Sequence, residues 1–246
     1  MSTILITGAA GYLGSVLRER LPGHDLRLTD LRASPGIEAL DVTDQDAVTA
    51  ACRGADAVVH LAGLAEESAF DAVLEANVRG TQRVLEGAQR AGVPTVVLAS
   101  SNHAVGLVPR AGCLPDDVAA RPDTFYGWSK AAIEALGRLY HDRHGLTVVC
   151  LRIGDCADAP ENPRDLAVWL SPGDAARLVE AAVGATGWHV VWGVSANTHR
   201  WWSTAGGDAI GYHPRDDASD HCRLAPEAAG DELVGGAMPE KPLGGR

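Results

Sequence analysis

The chain opens on a short apolar run, Ile4-Leu5-Ile6-Thr7, which empties directly into Gly8-Ala-Ala-Gly11-Tyr12-Leu13-Gly14 and then into a helical pattern reaching Leu21. Strand, glycine turn and helix in that order constrain the fold more than any other feature, because they begin a βαβ unit and with it a parallel sheet. The glycines let the backbone turn tightly and approach a pyrophosphate, whose charge the following helix N-terminus stabilises. In a chain with 28 glycines the same spacing also fits an ordinary strand-to-helix turn. Asp30 shifts the balance. It closes the second strand-like run, Asp25-Leu-Arg-Leu-Thr-Asp30, at the distance expected of a ribose-binding acid. A carboxylate there accepts both adenosine-ribose hydroxyls and repels a 2′-phosphate, so NAD is expected over NADP, although Arg32 is close in sequence.

Strands then alternate with helices, which predicts a doubly wound α/β fold of the Rossmann type, with seven parallel strands covered on both faces. A third strand is expected near Ile37 to Leu40, followed by Thr43 capping a helix from Asp44 to Cys52. Asp41 and Val42 fall at a strand's C-terminal end, where ligands of open sheets bind, and so edge the adenine. The fourth strand, Ala57 to Leu61, leads into Ala62 and Gly63, small residues that let a cofactor lie against the backbone; His60 within it reads as a packed histidine. One long helix is expected from Phe70 to Arg90. Asn77 inside it is a poor helix former and needs a reason: tolerance on an exposed face, or anchoring of a water or backbone group near the active site, where it counts among the cofactor-binding candidates. The fifth strand, Thr95 to Ala99, ends in Ser100-Ser101-Asn102-His103, four hydrogen-bonding side chains where substrate is expected.

After a proline-containing loop comes a helix reaching His144 that carries Tyr126-Gly-Trp-Ser-Lys130. A tyrosine and a lysine four apart share one helix face and can act on the same atom. A free tyrosine titrates near about 10, so acting as a base near neutrality requires a stabilised phenolate. A shift of roughly two to three units, about 3 to 4 kcal/mol, is within reach when the pyridinium of NAD adds to the Lys130 charge. Ser101 can hold the substrate oxygen against Tyr126. Alone, the pair would be a packed tyrosine and a surface lysine; glycine turn, Asp30, Ser101, Tyr126 and Lys130 in sequence order argue for chemistry.

A sixth strand from Thr147 to Ile153, an irregular segment from Gly154 to Ser171, a helix from Asp174 to Val183 and a last strand from Trp188 to Val194 complete the pattern. Of Trp201 and Trp202, at least one is expected in the core. From about Asp216 the composition shifts to Ala, Gly, Pro and charge, predicting a loosely held tail. The division expected is a single domain: 1–153 for the cofactor, 154–215 for substrate and the last strand, 216–246 as tail. With 246 residues, 46% hydrophobic, one packed core is ample. No run is long enough to span a bilayer and no signal peptide is evident, so a cytoplasmic protein is expected. The five cysteines (Cys52, Cys113, Cys150, Cys156, Cys222) show no metal-type spacing and no disulfide framework, and Cys150 and Cys156 read as buried free thiols. A net charge of −11 argues against nucleic-acid or anionic-membrane partners.

The glycine spacing and the Tyr126/Lys130 pair resemble the extended short-chain dehydrogenases/reductases. Ala99-Ser-Ser-Asn-His103, Arg121-Pro-Asp123, Leu151-Arg-Ile-Gly154 and Val191-Trp-Gly-x-Ser-Ala-Asn197 with Trp201-Trp202 resemble, more narrowly, the bacterial uronate dehydrogenases, from Thr3 to about Pro214. That resemblance implies oxidation of the C1 hydroxyl of a cyclic hexuronate, glucuronate or galacturonate, to an aldarolactone with NAD, and a homo-oligomer. It implies Tyr126 as general base, Lys130 as its partner and a ligand of the nicotinamide ribose, Ser101 as the orienting group, and Asn102 and His103 as ligands of sugar hydroxyls. Arg164 would clamp the carboxylate, as a bidentate guanidinium can. Ala65 and Asp155 stand where that family tends to have serines; Asp155 would repel a carboxylate unless it bonds a hydroxyl or pairs with an arginine, so another carboxylated or aminated sugar is a further expectation. The competing readings are a nucleotide-sugar epimerase, dehydratase or ketoreductase, which would need a larger C-terminal pocket, and a catalytically silent NAD sensor.

Overall fold

Seven strands pair in one all-parallel sheet in the computed structural model, which describes residues 1–110, 112–221, 223, 233–240 and 242–245. In chain order the strands are β1 (Thr3–Thr7), β2 (Asp25–Asp30), β3 (Glu38–Ala39), β4 (Ala57–His60), β5 (Thr95–Ser101), β6 (Thr147–Ile153), β7 (Asp155–Cys156), β8 (Trp169–Leu170) and β9 (Trp188–Gly193). The large sheet runs β3-β2-β1-β4-β5-β6-β9, and β7 pairs with β8 as a separate two-stranded ribbon. The order reverses between β1 and β4, so their C-terminal ends part and leave a crevice. The helices are α1 (Tyr12–Arg20), α2 (Gln45–Cys52), α3 (Phe70–Val73), α4 (Gly80–Ala91), α5 (Phe125–His144), α6 (Asp165–Val168), α7 (Pro172–Gly184) and α8 (Ala205–Ile210). Two apolar layers, one on each face of the sheet, form the core: Ile4, Ile6, Val59, Val97, Val149 and Val191 point to α1 and α7, while Leu5, Val58, Val96, Leu98, Val148 and Cys150 point to α2, α4 and α5. Among the described residues no helix is long and apolar enough to cross a membrane.

Three local expectations are corrected. The helix after β3 is capped by Asp44, whose carboxylate accepts from the Asp46 and Ala47 N–H groups, and not by Thr43, whose N–H and hydroxyl both donate to Asp41. The helix expected from Phe70 to Arg90 is interrupted by a π-helical stretch, Leu74–Arg79. An i→i+5 turn inserts a residue and rotates the chain, and here it turns Asn77 inward, where its amide bonds both the N–H and the carbonyl of Leu64 and the Ser129 hydroxyl. Of the tail expected to be loosely held from Asp216, the described residues 216–218 and 233–235 are attached to the body of the fold. Asp216 bonds the Ser171 hydroxyl and Arg177, Asp217 holds Thr198, and Ala218 and Val234 are fully buried. Buried Asp174 organises this attachment by accepting from the Arg215 and Asp216 N–H groups. Cys222 lies outside the described residues; Cys52 and Cys150 are buried free thiols and Cys156 is partly buried.

His60 packs inside the sheet as expected, with its two ring nitrogens 2.7 Å from Thr7 Oγ1 and 3.1 Å from Thr81 Oγ1. Burial, then the Lys130 charge, lowers its pKa from 6.5 to about 3. A folded-state pKa below the unfolded one gives stability that is complete above 6.5 and is lost as the pH falls toward about 3. Replacing His60 with Asn is therefore expected to flatten the acid limb of a Tm-versus-pH curve; an unchanged limb would assign that loss to other groups.

Candidate active site

The crevice between β1 and β4 opens into a cavity of about 1000 Å³. Its wall contains Gly8, Gly11, Tyr12, Leu13, Gly14, Asp30, Asp41, Val42, Leu61, Ala62, Gly63, Ser101, Tyr126 and Lys130. Gly8 has φ +73°, and a Cβ there would lie 2.5 Å from the Ala62 nitrogen; on Gly14 it would lie 2.6 Å from Ala9. These glycines let β1, α1 and the chain after β4 converge on one ligand-sized space. Helix α1 starts after Gly11 with no side-chain cap, so its first-turn N–H groups suit an anion. Asp30 accepts from the Ala10 and Leu31 N–H groups, which fixes its carboxylate at the far end of the wall. A dinucleotide with a pyrophosphate at α1 and a ribose at Asp30 fits these donors and this acceptor.

Asn77, counted among the cofactor-binding residues, is not itself on the wall, but it anchors a backbone group beside it, one of the two roles expected of it. Its amide is taken up by Leu64 and Ser129, so it shapes the Gly63–Leu64 turn from behind; a Cβ on Gly63 would meet its Oδ1 at 2.7 Å.

At the other end, Ser101 ends β5 and Tyr126 and Lys130 occupy the first turns of α5, capped by the Thr124 hydroxyl accepting from Gly127 N. Glu67 adds an acceptor for the Tyr126 N–H, favourable at a helix N-terminus. The Ser101 hydroxyl donates to Asn102 Oδ1 at 3.1 Å and accepts from His103 N at 3.2 Å. Lys130 Nζ donates to the Ala99 carbonyl at 2.7 Å and stands 5.4 Å from the Tyr126 ring centre. Burial lowers the Lys130 pKa to about 8. Burial raises that of Tyr126, the hydrogen bond with Ser101 pulls it down, and the Asp123 charge raises it again. The Lys130 charge expected to favour a phenolate does not by itself outweigh burial, and the Tyr126 hydroxyl is held above its ordinary range.

Of the residues expected at the sugar, Ser101 and Tyr126 line the cavity, while Asn102, His103, Asp155 and Arg164 stand behind or beside that wall. Asn102 is buried behind Ser101, and His103 packs edge-on to Tyr126 with ring centres 5.9 Å apart, its Nδ1 2.6 Å from Asp123. Arg164 faces the Trp201 ring at 5.3 Å and donates to the Val234 carbonyl, so it joins the substrate side to the C-terminal segment. Asp155 begins the β7 ribbon; partial burial, then Asp165 and Glu161, raise its carboxyl pKa, against the pull of Arg164. Ala65 is on the cavity wall. Trp202 is buried against Trp192, and Trp201 is half-buried.

Sequence reasoning missed Glu67, Asp123 and a buried ion pair behind the site. Glu134, one turn beyond Lys130, accepts from Arg152 of β6 and from the Ser100 hydroxyl, and Arg152 also reaches the Asp116 and Val118 carbonyls. A carboxylate four residues after the lysine on the same helix face was the available signal; its partner on another strand was not visible.

Comparison with known proteins agrees with this geometry. A uronate dehydrogenase of Agrobacterium fabrum is 40% identical over 99% of this chain and 98% of its own length. An L-arabinose 1-dehydrogenase (NAD(P)(+)) of Haloferax volcanii is 39% identical, covering 89% and 98%. The crystal structure of the uronate dehydrogenase from Agrobacterium tumefaciens, a tyrosine-to-alanine mutant complexed with NAD, superposes with a TM-score of 0.89 at 38% identity, covering 99% and 98%. Residues 4–158, which carry every group around the cavity from the glycine turn to the tyrosine and lysine of α5, match the NAD dependent epimerase/dehydratase family, and to that family the chain belongs.

Proposed function

We propose that the protein oxidises the C1 hydroxyl of a hexuronate, glucuronate or galacturonate, to the aldarolactone with NAD. The observation that carries this reading is the convergence of Ser101, Tyr126 and Lys130 at one end of a cavity whose other end is Asp30. Ser101 and Tyr126 would hold the C1 oxygen between them, and Tyr126 would take its proton. NAD, when bound, supplies the hydride acceptor and a positive charge that favours the phenolate. Lys130, with Nζ already fixed by the Ala99 carbonyl, would hold the nicotinamide ribose and add its own charge. Asp30 would take the adenosine ribose, Asp41 and Val42 would edge the adenine, and Leu61, Ala62 and Gly63 would lie against the cofactor. Asn102 and His103 are proposed for sugar hydroxyls and Arg164 for the carboxylate, which would also ease the Asp155 repulsion. The proposed division of labour is 1–153 for the cofactor and 154–215 for substrate, with a cytoplasmic homo-oligomer as the setting; the charge of −11 supports the absence of nucleic-acid and anionic-membrane partners.

A neutral aldose is the second reading, favoured by the acidic surroundings of Asp155 and by the arabinose dehydrogenase among the relatives. Initial rates of NADH formation with glucuronate, galacturonate, glucose, galactose and arabinose, each with NAD and NADP, separate the two. Turnover confined to uronates with NAD is expected; turnover on the neutral sugars alone would replace the uronate assignment.

A further inference from the structure

Asp123 is the most enclosed carboxylate beside the reacting groups. Its side chain is 0% exposed, lies 2.6 Å from His103 Nδ1 and accepts from Thr124 Oγ1 at 2.9 Å. Three glycines wall it in: a Cβ on Gly106, Gly127 or Gly235 would collide with its carboxylate group. None of the three has positive φ, so what they supply here is space. Gly235 comes from the C-terminal segment and is tied down by its N–H to the Gly106 carbonyl, while Gly106 N in turn bonds the His103 carbonyl. The fold thus closes two chain segments over one acid whose nearest titratable partner is a histidine at the substrate end.

An ionised carboxylate can only accept, so the hydrogen between the two groups belongs to His103 Nδ1. In a neutral ring Nε2 is then left as an acceptor. The ring stands edge-on to Tyr126, 5.9 Å between centres, beside the place where a C1 hydroxyl would react. We propose that Asp123 is a positioning residue: it keeps the proton on His103 Nδ1 so that Nε2 accepts from a sugar hydroxyl, and the C-terminal segment, through Gly235, encloses the Asp123 carboxylate. The substrate part of this inference rests on the dehydrogenase reading given above.

Two measurements test it. In 15N spectra of the wild-type protein labelled at histidine and bound to NAD, His103 is expected as the Nδ1–H tautomer; an Nε2–H tautomer would overturn the proposal. This readout needs no turnover, so it stands even if uronates prove not to be substrates, and it does not depend on a variant that folds. In kinetics on the best sugar, Asp123→Asn is expected to lower kcat/KM for that sugar by about tenfold or more, the usual scale for losing one charged hydrogen bond, with NAD affinity unchanged. His103→Ala should lose a similar factor, and the double variant no more than the larger single loss, because the two act as one unit. Additive losses, or an Asp123→Asn enzyme with unaltered sugar kinetics, would reduce Asp123 to a packing role.

Discussion

Replacing Tyr126 with Phe is expected to lower kcat by about 10²–10⁴-fold or more while leaving NAD affinity near the wild-type value. The phenyl ring would keep the packing of a residue that is only 8% exposed. The start of α5 would survive as well, since both bonds that fix it, Glu67 to the Tyr126 N–H and Thr124 to the Gly127 N–H, are made to backbone. Only the hydroxyl is lost, and with it the group proposed to accept the C1 proton. NAD titration monitored by fluorescence, alongside turnover on the best sugar, separates binding from chemistry. Wild-type turnover by the Phe variant would take the proton-accepting role from Tyr126.

The largest effect on stability is expected from Arg152→Ala, about 3–5 kcal/mol, because it strands the Glu134 carboxylate in the interior. The pair is buried on both sides, and Glu134 sits on the helix that presents Tyr126 and Lys130 to the strand that ends in Ser101. Loss of Arg152 also deprives the Asp116 and Val118 carbonyls of their donor. Replacing both partners, Arg152→Met with Glu134→Leu, should recover much of the loss, since no uncompensated charge remains. Urea unfolding of the single and double variants decides this; equal destabilisation in both would mean that lost packing volume, not stranded charge, weakens the fold.

Much of the cofactor end was legible in the chain. Gly8, Gly11, Gly14 and Asp30 act locally or at the ends of adjoining strands, so a periodic pattern and a fixed spacing suffice to place them on one wall. The substrate end was less legible. Asn77 reads as a candidate anchor of a backbone group and does hold Leu64, but the π-helical turn that brings it there, behind the wall, was announced by no residue pattern. Thr43 and Asp44 both have capping side chains, and the choice went to Asp44 because Asp41 holds Thr43. The C-terminal stretch is poor in apolar residues and reads as loose, yet its attachment is made by backbone groups and buried carboxylates that composition does not register.

By itself the sequence determined the parallel α/β architecture, the glycine turn with Asp30 at the end of the next strand, and the sharing of one helix face by Tyr126 and Lys130. Each of these follows from strand and helix periodicity, glycine sterics or a spacing of a few residues. Only the tertiary structure decided which acid holds His103, that Glu134 takes Arg152 rather than solvent, and that Gly244 N reaches Glu67 across 177 positions. Such pairings depend on sheet register and on which helix faces meet, and burial then raises the pKa of Tyr126 and lowers that of Lys130, an effect of the surrounding low-dielectric packing that no residue carries alone.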